Sequence, residues 1–343
     1  MRERIESVDL FRLIAMFGVV ILHTAPFHAD IAPASSLYRY LDLLCDQLPR
    51  FAVPFFFVIS GYFWGLKLKQ GAPLLSTSFM MGRRIGMILL AWSLIYLLPF
   101  NYHAMPSELG FMERIGWNIH YLLAHPMQLL MEGTKIHLWF LVSLLYALLL
   151  STLLLHYHKR HWLLGIGVGL YLFALLAKAY LKTPIGIEFA FDTRNGPFFS
   201  TLFFVTGYLL AQRQRVKRWL WYGLALYLIG TLLQGVEIMT LWKLFGTNPK
   251  QDFVMSTYLI GIGVAMIALS NHPHLRIQRV SHLGKMVLGV YAIHFIFVEL
   301  LLPIDQLNDS ILWELSYTLL VFLFAVGSTW LLSKSRLTAW LVR

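Results

Sequence analysis

The chain has 343 residues, 58% of them hydrophobic and only 13% charged, a balance far from that of soluble domains. Its formal net charge of +11 is scattered through short segments between apolar runs, which argues against a nucleic-acid surface and removes nucleic acid from the expected partners. The single cysteine, Cys45, excludes an internal disulfide framework and argues against a cysteine metal site, and no dinucleotide or Walker glycine run appears.

Ten apolar runs are predicted to span a bilayer: 7–27, 49–66, 84–102, 137–156, 161–180, 198–212, 217–238, 253–271, 284–303 and 311–333. An even count puts both termini on one side. If that side is the cytoplasm, 19 of the 28 Lys and Arg residues lie inside, against 3 of the 17 acids. The positive-inside rule therefore predicts an all-α integral membrane protein of about ten transmembrane helices with both termini cytoplasmic, a single transmembrane domain over 1–343. The first run lacks a small-residue cleavage site and carries Arg12, so it reads as a retained helix.

That first run also holds the most informative pair. Arg12 and His23 are eleven residues apart, which returns a helix to nearly the same face after a rise of about 16 Å. Ionisable groups are costly in hydrocarbon, so such a stripe is a site hypothesis by default; the bland alternative has both side chains snorkelling to opposite interfaces. Loop 28–48 reads as an outer connection. The second run begins Arg50-Phe-Ala-Val-Pro54-Phe-Phe-Phe-Val-Ile-Ser60-Gly61-Tyr62. Segment 103–136, the longest outer one, carries Phe111, Ile115, Ile119 and Leu122 at helical spacing and predicts an amphipathic helix in the outer interface.

The fourth run opens Ile136-His137-Leu-Trp139-Phe. Outer loops 181–197 and 239–252 show little periodicity. Arg194-Asn-Gly-Pro197 leads into the sixth run, which opens Phe-Phe and continues to Thr206-Gly207-Tyr208, an echo of the second. In a Phe-rich chain coincidence explains this as readily as duplication. Gly61 and Gly207 would let another helix or a ligand approach the backbone, and Ser60 and Thr206 offer hydroxyls that can equally bond back to their own helix. The ninth run contains Gly289-Val-Tyr291-Ala-Ile-His294. Of 13 histidines, only His23, His137 and His294 fall within or at the edge of apolar runs; His28, His103, His120 and His125 read as outer-surface residues, and His156, His158, His161, His272, His274 and His282 as inner, interfacial ones. No pair has the i, i+4 spacing of a helical metal motif, so no metal site is expected.

A histidine in such a setting suits proton removal from a hydroxyl near neutral pH, and a guanidinium suits holding a phosphate or carboxylate. On one stripe they suggest a donor whose anionic end is held near the cytoplasm by Arg12 while its reactive end reaches His23, where an acceptor arrives from outside. This is acyl transfer across a bilayer. His23 is read as a general base, with a transient acyl-imidazole open as an alternative. A transporter or flippase of a lipid-linked or small anionic substrate also fits ten helices with buried cations. Against it, the acids nearest a span interior, Glu237 and Glu299, sit towards outer ends.

These blocks resemble the membrane-bound acyltransferase family 3, bacterial integral-membrane O-acyltransferases of surface and secreted glycans. Asp9, Arg12, Ala15 and His23 resemble its first-helix Asp-x-x-Arg-x-x-Ala and Arg-x10-His patterns. Pro54 to Tyr62 resembles its Pro-Phe-Phe-x-x-Ser-Gly-Tyr pattern with one extra Phe. His137-Leu-Trp139-Phe, Arg194 with Pro197-Phe-Phe and Gly207-Tyr-Leu, and Gly289 to His294 resemble further blocks, in the family's order. The resemblance implies a ten-helix fold in a bacterial cytoplasmic (inner) membrane. It implies no permanently bound cofactor, acetyl-CoA or another acyl-CoA as co-substrate, and an extracytoplasmic or lipid-linked glycan hydroxyl as acceptor. Membrane lipids and glycan-assembly machinery are the other implied partners. It implies His23 and Arg12 as catalytic, with Arg12 donor-binding or structural, Arg12, Asp9 and Ser60 on the donor side, and Arg50, His137, Trp139, Arg194, Tyr291 and His294 towards the acceptor.

Overall fold

A computed structural model describes residues 5–27, 36–277, 283–308 and 310–342. His28 and His282 lie outside them. Every one of the ten predicted spans falls on an apolar helix, and the described residues contain no strand. Among the described residues seven helices are long and apolar enough to cross a membrane, and three more are apolar but shorter.

The chain divides into two compact units, each built from interleaved segments: Met1–Ala15, Arg50–Gly86 and Trp139–Gly284 form the first, and Met16–Pro49, Met87–Leu138 and Lys285–Arg343 the second. Helix α1 (Glu6–Thr24) and helix α4 (Leu74–Ile95) run through both divisions without a break.

The first unit is organised on α3 (Ala52–Lys69) and α9 (Pro197–Gln212). Their N-terminal ends meet through Arg50 and Arg194, which share the Asp252 carboxylate, and their C-terminal ends meet where the Lys69 ammonium donates to the carbonyls of Ala211, Gln212 and Arg213. The two helices are therefore parallel. They touch backbone to backbone: a Cβ on Gly61 would lie 1.9 Å from the Phe204 carbonyl oxygen, and one on Gly207 1.9 Å from that of Val58. One turn on, Gly65 faces Tyr208 and Ala211. Small residues four apart on both helices make this the small-xxx-small contact that membrane helices use where no hydrophobic force acts between them. The sequence echo is thus a matched pair of elements in contact. Pro197 suits the first turn of α9, since its missing N–H would be unpaired there.

Around this pair stand α7 (Trp139–His156), α8 (Trp162–Leu176), α10 (Trp219–Phe245) and α11 (Thr257–Leu269). Glycines again set the closeness: Gly167 meets Leu202, and Gly223 and Gly263 face each other across α10 and α11. An aromatic core of Phe57, Phe140, Phe199, Phe203, Tyr171 and Phe253 fills the space between them.

The second unit holds α2 (Ser36–Gln47), α5 (Phe111–Ala124), α6 (Pro126–Glu132), α12 (Val287–Asp305), α13 (Ile311–Lys334) and α14 (Ala339–Val342). The amphipathic helix expected within 103–136 is α5; Leu122 is buried while Phe111, Met112, Trp117 and Leu123 are exposed. Ser310 caps α13 by accepting from the Trp313 N–H.

Three expected boundaries need correction. The third span begins at Leu74, not 84: Arg83 and Arg84 lie exposed within α4, because arginine is a good helix former whose head can reach the interface. Segment 36–47 is helix α2 and not plain connection, its apolar and polar residues alternating at helical spacing. Helix α10 continues seven residues past 238, through part of the predicted loop, and stops at Gly246 in the left-handed conformation.

Candidate active site

Three imidazoles assemble in the second unit. His23 comes from the last turn of α1, His137 from a short 3-10 turn (Ile136–Leu138), and His294 from the middle of α12. Ring centroids are 5.2 Å apart for His23 and His294, 5.3 Å for His137 and His294, and 6.4 Å for His23 and His137. Phe295 completes the cluster, stacked on His137 at 4.9 Å and edge-on to His23 at 5.2 Å. His137 and His294 are buried; His23 is half-buried and so is the member within reach of an incoming molecule.

The scaffold explains the placement. The Tyr291 hydroxyl donates to the His137 carbonyl, the Tyr96 hydroxyl to the Ala292 carbonyl at 2.7 Å, and the Tyr317 hydroxyl to the Val298 carbonyl at 3.0 Å. These bonds fix α12 in rotation and carry His294 with it. Gly289 lets Thr329 and Val342 approach the same helix. The end of α1 is pinned by a 2.7 Å contact between the Thr24 and Thr318 hydroxyls. The chain then leaves the helix through Ala25 and Phe27, both at positive φ, with the Phe27 N–H donating to Glu314 at 2.9 Å. Left-handed conformations in residues with a Cβ cost of order 1–3 kcal/mol each, so burial of Phe27 and its charge-assisted bond hold a strained exit beside His23.

The His294 Nδ1 lies 2.7 Å from the Tyr291 carbonyl, while its Nε2 and both ring nitrogens of His137 make no hydrogen bond among the described residues. Beside the cluster, Lys135 and Glu299 form an ion pair, and the Lys135 ammonium stands 5.7 Å over the Phe295 ring. Sequence reasoning missed Lys135 and Phe295, and named Glu299 only as an acid towards the outer end of a span. The available signal was position: Lys135 precedes His137 by two residues, and Glu299 follows His294 by five. Among the described residues no group of three His, Cys, Asp or Glu side chains is arranged to hold a metal ion.

The other sequence-predicted residues belong to the first unit. Arg12 donates to Asp9 at 3.0 Å and its guanidinium lies 5.3 Å over the Phe63 ring. Asp9 is buried, and Gly284 passes so near that a Cβ there would lie 2.6 Å from the Asp9 backbone oxygen. Ser60 is half-buried on α3, next to the Gly61 contact. Arg50 and Arg194 join Lys178 around Asp252 at 2.6, 3.4 and 2.7 Å, with Asp192 on Lys178. Trp139 lies 5.0 Å beneath the Arg194 guanidinium. Burial alone would push Asp252 up, but Arg50, Arg194 and Lys178 together hold its carboxyl well below the usual carboxylate range. So the predicted residues separate into a histidine cluster containing His23, His137 and His294 with Tyr291 as a strut, an Asp9–Arg12 pair, and a cluster containing Arg50 and Arg194.

No solved structure matches the chain. Among curated proteins it is 30% identical over 308 residues to a serine/alanine racemase of Enterococcus gallinarum, covering 84% of this chain and 40% of that protein. It is 27% identical over 353 residues to an amino-acid racemase of Enterococcus faecalis, covering 97% of this chain and 46% of that protein. The chain thus spans less than half the length of these relatives. The family described as "Acyltransferase domain" matches residues 5–334, nearly the whole chain, and the chain belongs to that acyltransferase family.

Proposed function

We propose that this protein is a membrane O-acyltransferase that moves an acyl group, acetyl in the first instance, from cytoplasmic acyl-CoA to a sugar hydroxyl of an extracytoplasmic or lipid-linked glycan. A bacterial cytoplasmic membrane is its setting, with glycan-assembly machinery as its working partner. The observation that carries this reading is the half-buried His23 among two buried imidazoles, in a chain of the acyltransferase family. His23 takes the proton as the acceptor oxygen attacks the thioester carbonyl; the new C–O bond forms, the C–S bond breaks, and the imidazolium returns the proton to the leaving CoA thiolate. General-base assistance of this kind contributes roughly 10²–10⁴ in rate.

Arg12 binds phosphate of the donor. Its guanidinium is already oriented by Asp9 and by the Phe63 face, as bidentate anion recognition requires. Arg50, Arg194 and Trp139 serve the acceptor side. The rival reading, a coupled carrier, needs a carboxylate free to change partners. Glu237 receives the Tyr180 hydroxyl, the Met255 and Ser256 N–H groups and the Ser256 hydroxyl, and Glu299 is paired with Lys135.

The racemase names belong to proteins more than twice the matched length, and the proposal takes no racemase chemistry from them. Purified protein in sealed vesicles of known orientation tests the reading. Labelled acetyl-CoA supplied on the cytoplasmic side should release free CoA thiol, and a glycan supplied only on the other side should become labelled. No thioester cleavage, with or without acceptor glycans, overturns it.

A further inference from the structure

We propose that the Lys135–Glu299 pair recognises the acceptor: the Glu299 carboxylate takes a hydrogen bond from a second hydroxyl of the sugar being acylated, and the Lys135 ammonium donates to the same sugar. This deepens the acyl-transfer reading above and rests on it. Both residues belong to the unit that carries the imidazoles. The ammonium stands 5.7 Å over the Phe295 ring, and that ring abuts His23 at 5.2 Å. One half-buried ring therefore separates the ion pair from the proposed base. Phe295 and Glu299 are four apart on α12 and so share a face, with Glu299 about 6 Å further along the axis. That step is close to the width of a sugar ring, so a hydroxyl held at Glu299 leaves another within reach of His23.

The pair has capacity to spare. An ionised carboxylate has about four acceptor positions and an ammonium three donors. Among the described residues the Glu299 carboxylate has Lys135 as its one polar partner, and the Lys135 ammonium has Glu299 and the Phe295 face. The two side chains keep 17% and 10% of their surface, Lys135 the larger share, so the unspent positions can be met from outside. Two ions taken largely out of water with one polar partner each are costly, and apolar residues of the same size would serve packing as well or better. His103 adds a third polar group: burial, and then the Lys135 charge, push its imidazole below the ordinary value, and its Nδ1 is buried with no hydrogen bond among the described residues. What completes such a set is a neutral molecule rich in hydroxyls. The pair is neutral as a whole, which gives no preference for the phosphates of CoA or for an acidic sugar. A hydroxyl can both donate to a carboxylate and accept from an ammonium. The exposed part of Phe295 supplies apolar surface for the carbon skeleton of a sugar.

Removing one side chain strands the other ion, so the test uses two gentler variants. Glu299→Gln keeps an amide oxygen that can face Lys135, and the double variant Lys135→Met/Glu299→Leu removes both charges together. The probes are methyl glycosides of glucose, galactose, mannose, rhamnose and N-acetylglucosamine with labelled acetyl-CoA, then the monodeoxy forms of whichever is acetylated fastest. Both variants should raise the acceptor KM about tenfold or more with the KM for acetyl-CoA at the parental value. One monodeoxy acceptor should lose about as much in the parent and nothing further in the double variant, because the group that reads the missing hydroxyl is gone. Parental acceptor KM in a folded variant overturns the assignment, as does an equal rise in both KM values or a deoxy penalty that persists in the double variant. Equal KM for all monodeoxy forms in the parent overturns it without any variant. Saturation-transfer NMR with the same glycosides reads binding without turnover. A glycoside that binds the parent, weakens in Glu299→Gln and is never acetylated would sink acyl transfer alone. Acetylation with parental constants in the variants would sink only the role of Lys135 and Glu299, and no glycoside bound or acetylated overturns the proposal.

Discussion

Gly61 and Gly207 pack reciprocally: each lies against the carbonyl oxygen of the residue three positions before the other, Phe204 for Gly61 and Val58 for Gly207. Neither helix can yield without the other moving, because backbone meets backbone. Gly61→Ala or Gly207→Ala should destabilise by about 3 kcal/mol, the upper end of overpacking costs, read as a fall in thermal midpoint in detergent. Gly235 on α10 has open space around it, and Gly235→Ala should be neutral or slightly stabilising. Equal effects at the two kinds of position would show that the close approach is unimportant.

His23→Ala should abolish transfer, by roughly 10²–10⁴-fold, while the protein still folds and inserts. The half-buried ring makes no large contribution to the core, so midpoint and monodispersity should stay near those of the parent. Transfer at parental rates in this variant would remove His23 from the chemistry.

Arg12→Lys should impair activity nearly as much as Arg12→Ala. The guanidinium both bonds Asp9 and lies over Phe63, and an ammonium lacks the planar fork for the first and the flat face for the second. The readout is KM for acyl-CoA. A lysine enzyme with parental KM would show that charge alone suffices.

Asp252→Asn removes the anion on which Arg50, Lys178 and Arg194 converge. Breaking a buried pair from one side costs about 3–5 kcal/mol, and the partial exposure of this carboxylate places the expected loss near about 3. The pH dependence has a definite sign. The folded pKa lies below the unfolded one, so the contribution of Asp252 is fully present above about pH 4 and fades as pH falls towards the depressed value. The stability gap between parent and Asp252→Asn should therefore hold from pH 8 to about pH 5 and narrow in more acidic buffers; a gap that closes between pH 8 and 6 would implicate another group.

Lys135→Met or Glu299→Leu alone should destabilise strongly, by about 3–5 kcal/mol, since each leaves an uncompensated ion. The double variant should recover most of the loss. Additive losses in thermal unfolding would show that the two side chains act independently.

The parts of this molecule legible in the sequence are those encoded by local pattern. Apolar runs at their expected places became helices, and the spacing of Phe111, Ile115, Ile119 and Leu122 found α5. Boundaries slipped where a charged residue was taken as a stop, as at Arg83 and Arg84, although arginine continues a helix readily. His23, His137 and His294 were singled out one by one as imidazoles in apolar runs, but their convergence depends on helix rotation fixed by Tyr96, Tyr291 and Tyr317. Asp252 was invisible because its partners Arg50 and Arg194 are 202 and 58 residues away. The repeat around Arg50 and Arg194 was visible as letters; only contact between Gly61 and Gly207 gives it physical meaning.

The three short helices of the first unit set a further condition. Helices α8, α9 and α11 have 15, 16 and 13 residues, which at 1.5 Å per residue gives about 20–24 Å, well short of a hydrocarbon slab of about 30 Å. At their ends Arg50, Lys178, Asp192, Arg194 and Asp252 satisfy one another as a partly exposed cluster. Helices α9 and α11 are buried along almost their whole length behind the longer α3, α7 and α10, so of the three only α8 has a broad exposed face. Hydrophobic mismatch is therefore confined to the one face that α8 presents, and the other two short helices escape it by burial.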